Sequence, residues 1–252
     1  MTPWPAGTER IVLDTTDSTN EEARRRVAGD ETGPLWIMAR RQTAGRGRLA
    51  RPWSTVEGNL AATFLFPHSG TPQQAALLSF AASLAVAHVL AALIPGAEIG
   101  LKWPNDALVN GRKASGILLE SFSHLPNGRI PVAIGIGLNL THHPTADQTS
   151  WPATSVAAEG ATPPPPEAVL DLLAPALAGH VATLADQGFA PVRTGWLAQA
   201  AHLDREIEVR LPPDRTVNGR FADLDADGAL VLEGPDGPRR IAAGDVFFPG
   251  GT

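Results

Sequence analysis

Between residues 41 and 48 the chain reads Arg41-Gln42-Thr43-Ala44-Gly45-Arg46-Gly47-Arg48, directly after the apolar run Leu35-Trp36-Ile37-Met38-Ala39. Glycine lets backbone N–H groups approach a bound group closely, and the planar arginine fork matches carboxylate or phosphate oxygens. A strand that opens into such a loop predicts a site for a small anionic ligand. Lys102-Trp103-Pro104-Asn105-Asp106 places a cation, an aromatic plate, an amide and a carboxylate around a proline-fixed turn. A purine can stack on Trp103, Asn105 can meet phosphate or a metal-bound water, and Asp106 can hold magnesium or take a proton. Each residue alone also suits an ordinary strand end with a solvated charge pair; the run of five argues for chemistry.

A third cluster is Lys113-Ala114-Ser115-Gly116-Ile117-Leu118-Leu119-Glu120, with Lys113 at the mouth of an apolar strand and Gly116 leaving room for a close approach. The charged flank of a hairpin is an equal reading of Lys113. The fourth is Gly135-Ile136-Gly137-Leu138-Asn139-Leu140, a strand with two glycines on one face. It lacks the spacing and following helix of a dinucleotide fingerprint.

The elements that must hold these clusters are legible from patterning. Ser18 and Glu21 have capping-box spacing ahead of a helix that Gly29 can end. Residues 59–66 and 98–103 read as strands. Asn110-Gly111 and Asn127-Gly128 are hairpin signals between the apolar runs 106–109, 114–122 and 130–140. The first 140 residues therefore mix helices with a partly antiparallel sheet. Residues 163–166, four prolines, predict a surface loop, and 167–199 a helical stretch interrupted near Gly188-Phe189-Ala190-Pro191. From Glu206 the alternation turns to period two with closely spaced turns, predicting a small β-barrel that packs on the main domain.

Composition bounds the rest. The 252 residues are 43% hydrophobic and 18% charged, enough for a real core. A net charge of −6 makes the arginine cluster local chemistry rather than a nucleic-acid field, and Arg24-Arg25-Arg26 reads as a solvated helix face. The absence of cysteine excludes disulfides, thiolate nucleophiles and Cys-based zinc sites. The N-terminal residues carry no export signal, and a cytoplasmic location is expected. Residues 75–94 are long enough to cross a bilayer, yet they are alanine-rich, lack a basic flank and are boxed by Pro72 and Pro95, so a core helix is expected. His142-His143 lacks a third ligand at metal spacing and reads as loop, and Trp4, Trp36, Trp151 and Trp196 as packing residues.

In this order, the four clusters and the Ser18-Thr19-Asn20 helix start resemble the biotin protein ligase family, in its short form without an N-terminal DNA-binding domain. The similarity runs from about Asp14 to Leu140 and more weakly through the C-terminal barrel. It implies an α+β fold: a mixed sheet with helices of the class II synthetase and biotin–lipoyl ligase type, then a small SH3-like barrel. The expected domains are 1–202 and 203–252. It also implies two steps, biotin with ATP giving biotinyl-5′-AMP and pyrophosphate, then transfer to a lysine of a biotin carboxyl carrier protein or carrier domain.

Carried onto this chain, the resemblance assigns Ser18, Thr19, Asn20, Gln42 and Gly116 to biotin. The Gly45-Arg46-Gly47-Arg48 loop would close over the biotin carboxylate and the α-phosphate, and Lys113 would bridge those oxygens. Trp53, Lys102, Asn105 and Asn139 would serve ATP. Asp106 would hold Mg2+ and orient or deprotonate the incoming lysine, joining Arg46, Arg48 and Lys113 as catalytic residues. Where many family members carry a further loop glycine, this chain has Leu49-Ala50-Arg51, which would stiffen the loop. A biotin-responsive DNA-binding repressor is a competing reading, disfavoured because the ligand motif begins at Ser18; a lipoate or octanoate transferase is another, disfavoured by the Lys102–Asp106 run. No membrane partner is expected, and a homodimer is possible through an exposed sheet edge.

Overall fold

The structure is a computed structural model that describes residues 2–53, 56–123, 125–149, 151–211 and 215–248. The first sheet has seven strands: β1 (Glu9–Thr16), β2 (Leu35–Gln42), β3 (Leu60–His68), β4 (Ile99–Lys102), β5 (Asp106–Val109), β6 (Arg112–Ser121) and β7 (Ile130–Leu138), in the order β1-β2-β3-β7-β6-β5-β4. The β1–β2 pair is parallel and the others are antiparallel. The β5–β6 turn is Asn110-Gly111 with φ 50° and 75°, the double positive φ of the tightest hairpin turn.

Period-two alternation assigns the two faces. Leu35 and Ile37 of β2 pack with Ala23 of α1 (Thr19–Ala28), whereas Trp36 and Met38 face the larger core. That core is filled by α2 (Pro72–Ala76), α3 (Leu78–Leu93), α4 (Pro166–Gln187) and α5 (Phe189–Leu197). The alanine-rich α3 is buried along most of its length, as expected of a core helix. Pro166 does not extend the proline loop; it takes the first turn of α4, where a missing N–H costs nothing.

Ser18 precedes α1 in an extended conformation, and Glu21-Glu22 then Arg25-Arg26 complement the helix dipole. The predicted capping box does not form, because the Ser18 side chain makes no cap bond. The Glu21 carboxylate is taken by Arg24 and Arg46 instead, as charge-assisted bonds outcompete a neutral amide.

The second sheet comprises β8 (Glu206–Leu211), β9 (Arg215–Leu224), β10 (Leu230–Gly234), β11 (Gly237–Ile241) and β12 (Asp245–Phe247), ordered β11-β10-β9-β8-β12 and antiparallel. Its apolar residues Ile207, Val209 and Phe221 join the same cluster as Trp196 of α5, so one core runs through both sheets. Gly228 sits against Phe80 and Leu77 of the helical layer.

Candidate functional site

On the α1 face of the first sheet three glycines meet. Gly116 of β6 pairs with Gly137 of β7, and Gly135 lies two residues earlier on the same face. A Cβ on Gly137 would lie 2.3 Å from the Trp53 indole, and one on Gly135 would lie 2.3 Å from Asn20 Oδ1. These positions are stripped to backbone so that Trp53 and Asn20 can lie on the sheet. Above them opens a cavity of about 540 Å³.

One end of the cavity is polar and uncharged. Ser18, Thr19 and Asn20 from the start of α1 line it with Gln42 from the end of β2. All three α1 residues are buried. The Thr19 N–H donates to Gln42 Oε1 at 2.8 Å, and the Thr63 hydroxyl lies 2.8 Å from Thr19 Oγ1 and 2.7 Å from Asn20 Oδ1. Asn20 Nδ2 donates to Glu120 at 2.7 Å and to the Leu118 carbonyl at 3.3 Å. The Thr19, Asn20 and Gln42 side chains are thus set in one orientation before any ligand arrives.

The other end is cationic. Lys113 Nζ lies 2.6 Å from Asp106 Oδ1 and 5.6 Å from the Trp53 ring centre. Lys102 Nζ lies 3.7 Å from Asp106 Oδ2 and 4.9 Å from the Trp151 ring centre. Burial pushes the Lys102 ammonium below the usual lysine range, against the pull of Asp106. Burial alone would raise Asp106, but Lys113 and Lys102 outweigh it and hold the carboxyl below its ordinary value. Asn105 and Asn139 also line this end. Their amides hold backbone: Asn105 Nδ2 donates to the Ile117 carbonyl, and Asn139 Nδ2 to the Thr154 carbonyl at 3.0 Å.

The glycine–arginine loop spans the two ends. Its neck is closed by Trp53 N–H donating to the Gly45 carbonyl at 2.8 Å and Gly47 N–H to the Arg51 carbonyl at 2.8 Å. Leu49 and Ala50 both lie at positive φ, 55° and 56°, where glycine is the easy residue. Every cation of the loop beside the cavity carries a carboxylate. Arg46 pairs with Glu21 and, at 3.1 Å, with Glu120. Arg51 pairs with Asp245 of β12, and Arg48 stands 3.9 Å from the same carboxylate. Burial lowers the Arg48 guanidinium below its ordinary value, with Asp245 and Asp106 opposing.

Of the residues singled out by sequence, the structure gathers Ser18, Thr19, Asn20, Gln42, Arg46, Gly47 and Arg48 on the cavity wall. Trp53, Lys102, Asn105, Asp106, Lys113, Gly116 and Asn139 complete it. Two expectations differ. Gly45 stands behind the wall, with Trp53 and Gln42 so close that a side chain has no room. Trp103 is no stacking plate: it is buried and its indole N–H donates to the Gly228 carbonyl at 3.0 Å. Sequence reasoning also missed Trp151, read as packing, and Asp245 and Phe247, all of which line the cavity. The 144–153 segment carries no charge cluster, and the loop arginine that pairs with Asp245 lies far away in sequence, Arg51 at a separation of 194.

Residues 12–140 match the biotin/lipoate A/B protein ligase family, and residues 202–248 match the biotin protein ligase C-terminal domain. The biotin–[acetyl-CoA-carboxylase] ligase of Paracoccus denitrificans is 45% identical over 243 residues, covering 95% of this chain and 100% of that protein. The chain belongs to the biotin/lipoate A/B protein ligase family. A second member, the biotin–[acetyl-CoA-carboxylase] ligase of Mycobacterium tuberculosis, is 32% identical over 93% of this chain and 87% of its own length. The family fold is matched by the Aquifex aeolicus biotin protein ligase solved with biotin and ATP, at a TM-score of 0.77 and 24% identity, over 95% of this chain and 97% of that one. This ligase-family chain therefore carries its four sequence clusters into one cavity on a fold common to solved biotin protein ligases.

Proposed function

We propose that this chain activates biotin with ATP, forming biotinyl-5′-AMP and pyrophosphate, and then joins biotin to a lysine of a carboxylase carrier protein or domain. One observation carries the reading: a single cavity has a neutral hydrogen-bonding end at Ser18–Asn20 and Gln42 and a cationic end at Lys102 and Lys113, with Arg46 and Arg48 over the join. A ureido ring presents neutral donors and an acceptor, while a carboxylate and a nucleotide phosphate meet as two anions.

In the first step a carboxylate oxygen attacks the α-phosphorus and pyrophosphate leaves. Lys113, Arg46 and Arg48 offset the repulsion and stabilise charge developing on phosphorus. To do so they exchange Asp106, Glu21, Glu120 and Asp245 for ligand oxygens. In the second step the carrier amine attacks the acyl carbon and AMP leaves. Asp106, held anionic by its two lysines, is a weak base but a strong acceptor, so it orients the amine. Loop closure keeps water from the adenylate.

Magnesium enters as part of the nucleotide substrate. Among the described residues no group of three or more His, Asp or Glu is placed to hold a metal, and Asp106 is already shared by two ammonium groups. The side chains do not fit a resident ion, and the charge stabilisation they supply comes from lysine and arginine. A nucleotide-fuelled modification of a metabolic carrier suits a cytoplasmic location. The outer edge of β1 has no strand partner among the described residues, which supports a homodimer; sedimentation equilibrium over a concentration series checks it.

The test is biotin-dependent exchange of labelled pyrophosphate into ATP, with lipoate and octanoate as controls. Exchange with biotin alone is expected. Exchange with lipoate in place of biotin overturns the substrate, and no exchange with any acid overturns the reaction.

A further inference from the structure

Lys113 sits at a bulge of β6, beyond the end of the β6–β7 ladder, which stops at Ser115 and Leu138. β6 pairs Lys113 with Leu108 and Ser115 with Ala107, which leaves Ala114 without a partner on β5. Such a bulge breaks the ladder at the residue whose side chain must be placed. On the side where β7 has ended, the backbone at Lys113 is held by a strap, residues 151–156, that runs parallel to it. Lys113 N–H donates to the Pro152 carbonyl at 2.8 Å, and Thr154 N–H donates to the Lys113 carbonyl at 2.9 Å. The inner side of the strap contributes Trp151 and Ala153 to the cavity.

The outer side of the strap is fastened by one carboxylate. The Glu159 side chain is only 4% exposed and receives three side-chain donors. Arg112 donates to Oε1 at 2.7 Å, Thr154 Oγ1 donates to the same oxygen, and Asn110 Nδ2 donates to Oε2 at 2.7 Å. Two of these donors belong to the β5–β6 hairpin and one to the strap. Arg112 is the strand neighbour of Lys113 and points to the opposite face. Glu159 therefore grips the back of the strand end whose front presents Lys113. An ionised carboxylate buried to this degree is tolerable only while those donors stay, so hairpin and strap are locked together.

We propose that Glu159 is a positioning residue for Lys113, clamping the strap that takes over beside β6 where β7 ends and thereby fixing the cationic end of the cavity. The inference rests on the reading that Lys113 serves the nucleotide and the biotin carboxylate. Its effect is confined to one end, because the Ser18–Asn20 and Gln42 end is held by Thr63, Leu118 and Glu120, none of which touches Glu159.

The chain offers an unusual probe: Lys102 and Lys113 are its only lysines. Acetylation by an N-hydroxysuccinimide ester, read by peptide mass spectrometry, reports on the two side chains separately. In Glu159→Ala the Lys113 labelling rate is expected to rise about fivefold through local opening, with Lys102 as the internal reference. The KM for ATP in pyrophosphate exchange is expected to rise about tenfold, or 1.4 kcal/mol, and the KM for biotin by a smaller factor, about threefold, because Lys113 meets only its carboxylate. Glu159→Gln keeps the volume and can still accept from Arg112 and Thr154 but not from Asn110, so an intermediate effect is expected. It is also the variant to use if Glu159→Ala does not fold. Unchanged Lys113 labelling and an unchanged KM for ATP overturn the proposal. So does an equal loss at both substrates together with equal labelling gains at both lysines, which would mark general loosening. Failure of the parent protein to exchange pyrophosphate would count against the ligase reading alone, because the labelling contrast is read without turnover.

Discussion

At the scale of single residues the site is a set of cations each held by an internal anion, and ligand oxygens must displace those anions. Arg46, on Glu21 and Glu120, is the sharpest instance. Arg46→Ala is expected to slow biotinyl-5′-AMP formation by about a hundredfold, the size of one lost charge-assisted contact in the transition state. Normal single-turnover adenylate formation in that variant would remove Arg46 from the chemistry. Lys102 gives a test through pH. Its folded pKa is lowered by burial, and Asp106, Lys113 and Asp245 are the charges acting on it. At low pH both folded and unfolded states carry the proton, and the cost of burying the charge is fully present. As pH rises past the folded value toward 10.5, the folded state sheds the proton first, so the unfolded state binds more protons and stability rises. The chain has no tyrosine or cysteine to titrate in that window. Urea unfolding of the parent against Lys102→Met should show the parent gaining relative stability as pH rises toward 10.5; a relative loss would mean Asp106 keeps Lys102 charged.

At the scale of elements, glycines and a latch decide whether the cavity exists. Gly137→Ala drives a methyl group into the Trp53 indole. Overpacking of this kind costs about 1–3 kcal/mol and pushes Trp53 into the cavity. Pyrophosphate exchange is expected to fall at least about tenfold while far-UV circular dichroism is retained; full activity would mean Trp53 has no fixed place. The glycine–arginine loop, in turn, is tied to the second sheet through the Asp245 carboxylate, with one further bond from Arg48 to the Gly244 carbonyl at 3.4 Å. Asp245→Ala should make the bonds after Arg46 and Arg48 several-fold more sensitive to trypsin. An unchanged cleavage rate would show that the loop's own turn holds it. These elements were legible in the sequence to different degrees. Turn residues with one allowed geometry announced the β5–β6 hairpin, and glycine spacing announced the open face of β7. The capping box at Ser18 was not decided locally, because Arg24 and Arg46 compete for Glu21. Asp245 left no mark in its own neighbourhood, since its meaning depends on arginines in the loop between β2 and β3.

At the scale of the whole molecule, the same limit explains Trp103. Within a motif whose Lys102, Asn105 and Asp106 line the cavity, nothing in the pattern says that the Trp103 side chain faces the other way. It faces the second sheet, where its indole N–H holds the Gly228 carbonyl while Gly228 presses on Phe80 and Leu77. The segment between Lys102 and Asn105 is thus also the post on which the C-terminal sheet is mounted. That sheet is small, and a chain piece of its size buries too little surface to stand alone. Its apolar residues belong to the core of the helical layer, so its stability is that of its docking. Trp103→Phe removes one buried hydrogen bond and leaves the Gly228 carbonyl unpaired, at a cost of about 1–3 kcal/mol. Gly228→Ala places a Cβ 2.5 Å from the Phe80 ring at φ 78°, which wedges the same contact from the other side. Both variants are expected to lower the melting temperature and to make residues 203–248 the first cleaved in limited proteolysis. Both should also weaken adenylate formation, because Asp245 and Phe247 leave the cavity with the sheet. If proteolysis opens the first sheet at the same rate as the second, the two unfold as one unit and the Trp103 post is not their joint.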